Sequence, residues 1–128
     1  MRDWRRVAVW LRYWLPPLGY MGAIFYFSGR PLPEEVPLVE LDWGDKLGHL
    51  LLYGGLGVLL WRAFVGATAV ARTAAPWWAA GVGTLYGLSD ELHQALVPFR
   101  RGEVGDWVAD ALGIAIAVLV LERYRGNT

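Results

Sequence analysis

Apolar residues fall into four stretches of the chain, separated by short polar segments. The stretches cover about residues 7–28, 45–65, 76–97 and 106–121. A helix needs roughly 20 mostly apolar residues to cross the hydrocarbon core of a bilayer, and all four stretches approach that length. The fourth stretch is short, and the third becomes polar at its C-terminal end. The pattern predicts an all-α fold, an integral membrane bundle of four transmembrane helices that forms one domain over residues 1–128.

The first stretch contains Pro16 and Pro17, which should kink the helix or mark a break between an interfacial turn and the membrane span. A cleavable signal peptide explains this stretch less well. Its apolar part is long, and no small-x-small cleavage site follows Ser28. We therefore expect the stretch to be a membrane span.

Composition supports the membrane prediction. Hydrophobic residues make up 55% of the chain, which has eight Trp and 16 Gly, a balance typical of membrane helices with aromatic belts. The alternative is a compact soluble helical protein, but these stretches leave too little polar surface for so small a globule. The absence of Cys excludes disulfides and thiolate zinc sites, and a net charge of zero does not favour nucleic-acid binding.

The basic residues predict the orientation, since Lys and Arg concentrate on cytoplasmic segments. With a cytoplasmic N-terminus, the inner residues are Arg2, Arg5, Arg6, Arg12, Arg62, Arg72, Arg123 and Arg125, and the outer ones are Arg30, Lys46, Arg100 and Arg101. This excess predicts that both termini are cytoplasmic. The first outer loop should be irregular and acidic, with Pro31, Pro33, Pro37, Glu34, Glu35, Glu40 and Asp42. Aromatic anchors would be Trp43, Phe99 and Trp107 outside, and Trp61, Trp77, Trp78 and Tyr124 inside.

Ionisable residues of three helices reach a similar depth in this topology. At about 1.5 Å per residue, His49 and Asp110 lie ~6 Å below the outer surface, His93 ~7–8 Å and Asp90 ~12 Å. Helical spacing places them on three stripes: Asp45, His49 and Tyr53; Asp90, His93, Gln94 and Val97; Asp106, Asp110 and Gly113. Charges at such depth are costly unless they are paired or line a wet cavity, so the stripes should face one another. Gly83 and Gly87 would let a neighbouring helix approach. The sequence thus predicts a polar pocket open to the outside, with Lys46, Arg100 and Arg101 as rim counter-charges.

Two segments resemble the VanZ family: "DKLGHLLLYGGLG" (45–57) and "GLSDELHQALVPFRRGEVGDWVADALG" (87–113). The matching residues are Asp45, Lys46, His49, Tyr53, Gly87, Asp90, Glu91, His93, Gln94, Pro98, Arg101, Asp106 and Gly113. One departure is Asp110, where the family usually has Asn, which adds a negative charge to the pocket. The resemblance implies a small multi-pass protein of the bacterial cytoplasmic membrane, from a family named for low-level resistance to the glycopeptide antibiotic teicoplanin. It does not by itself make this chain a resistance factor.

Three functions remain open. The first is binding or handling of an envelope lipid or a lipid-like antibiotic. The ligand-binding residues would be Asp45, Lys46, His49, Tyr53, Gln94, Arg100, Arg101, Asp106 and Asp110, with the arginines on an anionic group. The second is a membrane hydrolase or transferase for a lipid-linked substrate, with Asp90 or Glu91 as general base and His93 as acid or orienting group. The third is proton-coupled transport, for which four short helices leave little room for two gates unless the protein forms homo-oligomers.

Cofactors and partners follow from the same residues. The histidines and carboxylates could bind zinc or manganese, with His49, His93, Asp90, Glu91 and Asp110 as ligands, although their spacing matches no recognised metal motif. No other cofactor is expected. The expected partners are membrane lipids or a lipid-linked or lipid-tailed ligand, with no nucleic acid.

Overall fold

Four helices make up the fold of the computed structural model, which describes residues 2–29, 42–97 and 102–126. They are α1 (Arg2–Ser28), α2 (Asp42–Ala67), α3 (Ala75–Ala95) and α4 (Val104–Gly126). The predicted all-α, four-helix architecture is confirmed. Three helices are longer than their apolar stretches, whereas α3 ends two residues before the predicted boundary.

The first helix continues through its two prolines. Pro16 and Pro17 lie inside α1, so the alternative of a break at this point is wrong, and the kink stays a prediction. Pro16 has no N–H to donate to the carbonyl of Arg12, one turn earlier. The side chain of Arg62 in α2 donates to that carbonyl instead, with Nη1 3.5 Å from the oxygen. A neighbouring helix therefore satisfies an acceptor that the proline leaves unused.

Two of the helices are long and apolar enough to cross a membrane: Gly44–Ala67 in α2 and Val104–Gly126 in α4. Large apolar side chains also lie exposed along all four helices, among them Phe27, Leu51, Leu85 and Leu119. Apolar surface on this scale is uncommon on soluble monomers and is what lipid-facing helices present. The number of spans and the side on which each loop lies stay predictions.

Glycines set the closest helix contacts. A Cβ atom added to Gly113 of α4 would lie 2.1 Å from the carbonyl oxygen of Leu50 in α2. On α3, an added Cβ would lie 2.8 Å from Ile114 Cδ1 at Gly83 and 3.2 Å from Asp110 Cβ at Gly87. The predicted close approach at Gly83 and Gly87 is therefore confirmed, and the neighbouring helix is α4.

The chain direction of the helices gives the bundle two distinct ends. The polar end contains the C-terminal turns of α1 and α3 and the N-terminal turns of α2 and α4. The middle is an apolar core that includes Tyr53, Leu56, Leu60 and Ile114, all fully buried. The proline-rich acidic loop and Phe99 lie outside the described residues, except that Asp42, predicted in that loop, begins α2.

The predicted interface aromatics differ in their surroundings. Trp77, Trp78 and Tyr124 are exposed, as residues at a membrane interface would be. Trp61 instead donates its Nε1 hydrogen to Glu122 Oε1 over 2.7 Å, and Trp107 donates to the carbonyl of Thr84 over 3.0 Å. The side chain of Trp43 lies outside the described part of the chain.

Candidate functional site

The polar end brings together five of the predicted residues, which we call the carboxylate cluster: Asp45, His49, Glu91, Asp106 and Asp110. His49 of α2 lies at its centre. Its Nδ1 is 2.8 Å from Asp110 Oδ1, at hydrogen-bonding distance, and 3.9 Å from Glu91 Oε1. Its Nε2 is 3.8 Å from Asp106 Oδ2 and 4.0 Å from Asp45 Oδ1. One imidazole therefore faces carboxylates from three helices.

Lys46 supplies positive charge at the edge of this cluster, as the sequence predicted. Its ammonium group lies 3.1 Å from Asp106 Oδ1 and 3.3 Å from Glu103 Oε2. Glu103 was not among the predicted residues, although its position one turn before Asp106 was a signal for it. The backbone N–H of Glu103 also donates to Glu91 Oε2 over 3.1 Å, and this contact fixes the side chain of Glu91.

Tyr53 and Asp90 form a separate buried pair next to the carboxylate cluster. The Tyr53 hydroxyl donates to Asp90 Oδ2 over 2.8 Å. Tyr53 is fully buried and Asp90 is 5% exposed, so water does not compete freely for this bond. Asp90 Oδ1 has no hydrogen-bond partner among the described residues.

His93 does not join the carboxylate cluster. Its ring stacks on Phe25 of α1, with centroids 4.4 Å apart and ring planes 6° apart. The hydrogen bonds and ion pairs of the described residues include none between His93 and Asp90 or Glu91, so the structure does not bring the three catalytic candidates together. Gln94 also faces α1, where its Nε2 lies 3.4 Å from Ser28 Oγ, a contact the sequence did not predict.

Two groups of residues place possible metal-ligand atoms within 4.8 Å of one another. They are Asp45, His49 and Asp106, and His49, Glu91 and Asp110. Both contain His49, and neither contains His93 or Asp90. Of the five predicted ligands, His49, Glu91 and Asp110 therefore form one group, and the other two lie in neither group. Arg100 and Arg101, the predicted anion clamp, lie outside the described residues.

A cavity of about 280 Å³ opens between α1 and the polar residues of α2 and α3. Its apolar walls include Ala23, Ile24, Phe27 and Leu52, and its polar floor consists of Ser28, His49, Asp90 and Gln94. The cavity therefore joins an apolar surface to the edge of the carboxylate cluster.

Comparison with known proteins identifies a family. A family model described as VanZ/LLP1 matches residues 8–125. No curated protein and no solved structure gives a significant match to the chain. The family match extends over all four helices and includes every described residue of the site.

Proposed function

This chain belongs to the VanZ/LLP1 family, and we propose that it binds the polar head of an envelope amphiphile in the cavity between α1, α2 and α3. The family and the two long apolar helices indicate a membrane protein. In the predicted topology, the cavity faces the outer leaflet. The ligand would be an envelope lipid or a lipid-tailed antibiotic of the glycopeptide type.

The single observation that carries this proposal is the division of the cavity into apolar walls and a polar floor. Ligand pockets are mostly apolar, with a few polar groups that fix orientation. At about 280 Å³ the cavity is close to the lower end of the usual range, so it has room for a head group and not for a whole lipid. The tail would lie along the exposed apolar side chains of α1, which include Phe25 and Phe27.

The floor also indicates what kind of head group would bind. Asp90 lines the cavity, and its Oδ1 is a buried acceptor without a partner within the described ranges. A head rich in hydroxyl or ammonium donors, such as a sugar or an amino sugar, satisfies such oxygens. An anionic group on the same ligand would need Arg100 or Arg101.

The test is native mass spectrometry of the protein in detergent, incubated with teicoplanin or with a bacterial lipid extract. Ala23→Trp should fill the cavity and weaken the affinity for the amphiphile at least tenfold, equivalent to about 1.4 kcal/mol. Ala8→Trp is the matched control, because it makes the same change at an exposed position of α1 outside the cavity. Equal binding by the two variants, or no bound amphiphile on the wild-type protein, would contradict the proposal.

A second candidate, a membrane hydrolase or transferase, is favoured by the contact between His49 and Asp110. A histidine oriented by a buried carboxylate is a common general base, and Glu91 Oε1 lies 3.9 Å from its Nδ1, a spacing that one water molecule could bridge. In this alternative His49 is the general base, the role first predicted for Asp90 or Glu91. The same incubation separates the two functions, because a binding protein returns the ligand intact and an enzyme returns it with a changed mass.

A further inference from the structure

The carboxylate cluster contains more negative charge than its described neighbours balance. Four carboxyl groups lie within 4.0 Å of the His49 ring, from Asp45, Glu91, Asp106 and Asp110. Within residues 2–29, 42–97 and 102–126, Lys46 forms an ion pair with this cluster through Asp106. Lys46 also pairs with a fifth carboxyl group, on Glu103. Unbalanced charge within a membrane bundle is costly, and it would be offset by protons, by a bound cation or by Arg100 and Arg101, which lie outside the described residues.

Two buried oxygens in the cluster lack hydrogen-bond partners. Glu91 is 6% exposed, and its Oε1 has no partner in the described part of the chain. Asp110 is fully buried, and the same holds for its Oδ2. Buried polar atoms are nearly always satisfied, so such oxygens call for an explanation such as an ion. This observation is independent of the clustering itself, and Glu91 Oε1, which lies 3.9 Å from His49 Nδ1, faces the cluster.

We propose that His49, Glu91 and Asp110 bind one divalent transition-metal ion, Zn²⁺ or Mn²⁺, through one imidazole nitrogen and two carboxylates. Their ligand atoms lie within 4.8 Å of one another. Two ligands of a tetrahedral zinc ion, each ~2.1 Å from the metal, are about 3.4 Å apart. The distances from His49 Nδ1 to Asp110 Oδ1, 2.8 Å, and to Glu91 Oε1, 3.9 Å, lie on either side of that value.

Metal binding requires the three side chains to rotate until their ligand atoms reach this spacing. Nδ1 must be free of hydrogen to bind the ion, so the ring binds in its neutral form with its hydrogen on Nε2, and any proton held between Nδ1 and Asp110 is released to solvent. Nε2 then carries the remaining ring hydrogen and points toward Asp106 and Asp45, which lie 3.8 and 4.0 Å away. Carboxylates placed behind a ligating histidine in this way orient the ring and increase its basicity. Three protein ligands leave a coordination position open for water or for a ligand in the adjoining cavity.

The experiment is metal titration of the full-length protein in detergent, stripped with EDTA and then dialysed against Zn²⁺ or Mn²⁺ at neutral pH. The wild-type protein should retain about one equivalent. Glu91→Gln and His49→Ala each remove a proposed ligand and should weaken metal binding by at least ~10–100-fold. Loss of a group that only hydrogen-bonds to a metal ligand already has an effect of this size. Glu122→Gln is the matched control, because Glu122 is a bonded carboxylate at the opposite end of the bundle.

His93→Ala distinguishes the proposed ligand set from one that uses the other histidine, and it should retain the metal. Loss of metal in His93→Ala, or retention in Glu91→Gln, would overturn the proposed set. No stoichiometric metal on the wild-type protein would overturn the proposal.

Zinc X-ray absorption on the wild-type protein provides a test that does not depend on how the variants fold. We expect one histidine nitrogen in the first shell, and a shell of oxygens alone would refute the proposal. The metal site shares His49 with the cavity, whereas its other two ligands, Glu91 and Asp110, do not line the cavity. Ala23→Trp should retain full metal stoichiometry even where it blocks the cavity.

Discussion

The two histidines of the chain have different surroundings, although the sequence places them at similar depth. His49 faces four carboxylates, whereas His93 lies flat against Phe25. His93 Nδ1 is buried without a hydrogen-bond partner among the described residues, so His49 is the better candidate for proton transfer or metal binding. Asp110 shows the same dependence on neighbours. Where the family usually has Asn, a carboxylate lies against His49, and it can be a metal ligand where an amide would be a poor one.

At the residue scale, Tyr53→Phe should reduce the free energy of unfolding. It removes the only described hydrogen bond of the Asp90 side chain and leaves a buried carboxylate unpaired, which costs about 1–3 kcal/mol. Tyr124→Phe is the control, since Tyr124 is exposed and the same atom is removed. Chemical unfolding in detergent, followed by Trp fluorescence, measures both variants. Equal stability of the two would mean that Asp90 obtains a partner elsewhere.

At the element scale, glycines determine how α2 and α4 pack. Gly113 allows α4 to lie against the backbone of α2, and Gly57 does the same one turn deeper, where an added Cβ would be 3.1 Å from Ile114 Cα. Within a membrane, close packing and polar contacts hold helices together, because lipid is as apolar as the side chains. The same close contact places Asp110 beside His49. Glycine spacing therefore connects the packing of α2 and α4 to the geometry of the site.

Gly113→Ala should force α2 and α4 apart. The added methyl group meets a backbone oxygen that cannot rotate away, and overpacking of this kind costs ~1–3 kcal/mol or more. The contact between His49 and Asp110 should lengthen, and metal affinity should fall with it. Gly81→Ala is the control, with nothing within 4 Å of the added carbon. Because alanine favours helix, Gly81→Ala should stabilise α3 by up to about 1 kcal/mol. Thermal unfolding and metal titration of both variants check this, and equal destabilisation would argue against the close contact.

At the scale of the whole molecule, the two ends of the bundle differ chemically. The polar end is rich in carboxylates, with Lys46 among them. At the opposite end Arg125 pairs with Glu122 over 2.6 Å and donates to the carbonyl of Arg72 over 3.0 Å. A basic end is what the cytoplasmic side of a membrane protein usually presents. The orientation, in which the carboxylate cluster faces the outside, stays a prediction.

Cysteine labelling tests this orientation without background, because the chain has no native Cys. Val104→Cys lies at the exposed start of α4, and Thr73→Cys lies in the exposed turn between α2 and α3. A membrane-impermeant maleimide should label Val104→Cys in intact cells, and Thr73→Cys only after permeabilisation. The reverse result would place the site on the cytoplasmic side and exclude an outer-leaflet ligand.

The sequence by itself determined the helices, the end of the bundle where polar groups collect, and the family. These follow from local rules. The length of an apolar stretch predicts a helix that crosses a bilayer, and a rise of about 1.5 Å per residue gives the depth of each residue in it. The same rules predicted that Asp45, His49, Asp106 and Asp110 would meet, because the periodicity of each helix fixes which residues share a face.

Only the tertiary structure decided which groups touch. Periodicity does not specify how each helix is rotated against its neighbours, because that depends on the packing of all four. The position of α1 is the main example: no polar stripe marks its face, yet Phe25 covers His93 and Ser28 meets Gln94. Because Gly113 lets α4 approach α2, His49 of α2 lies among the carboxylates, and His93 does not. The identity of the central histidine is thus a consequence of packing, which no single helix encodes.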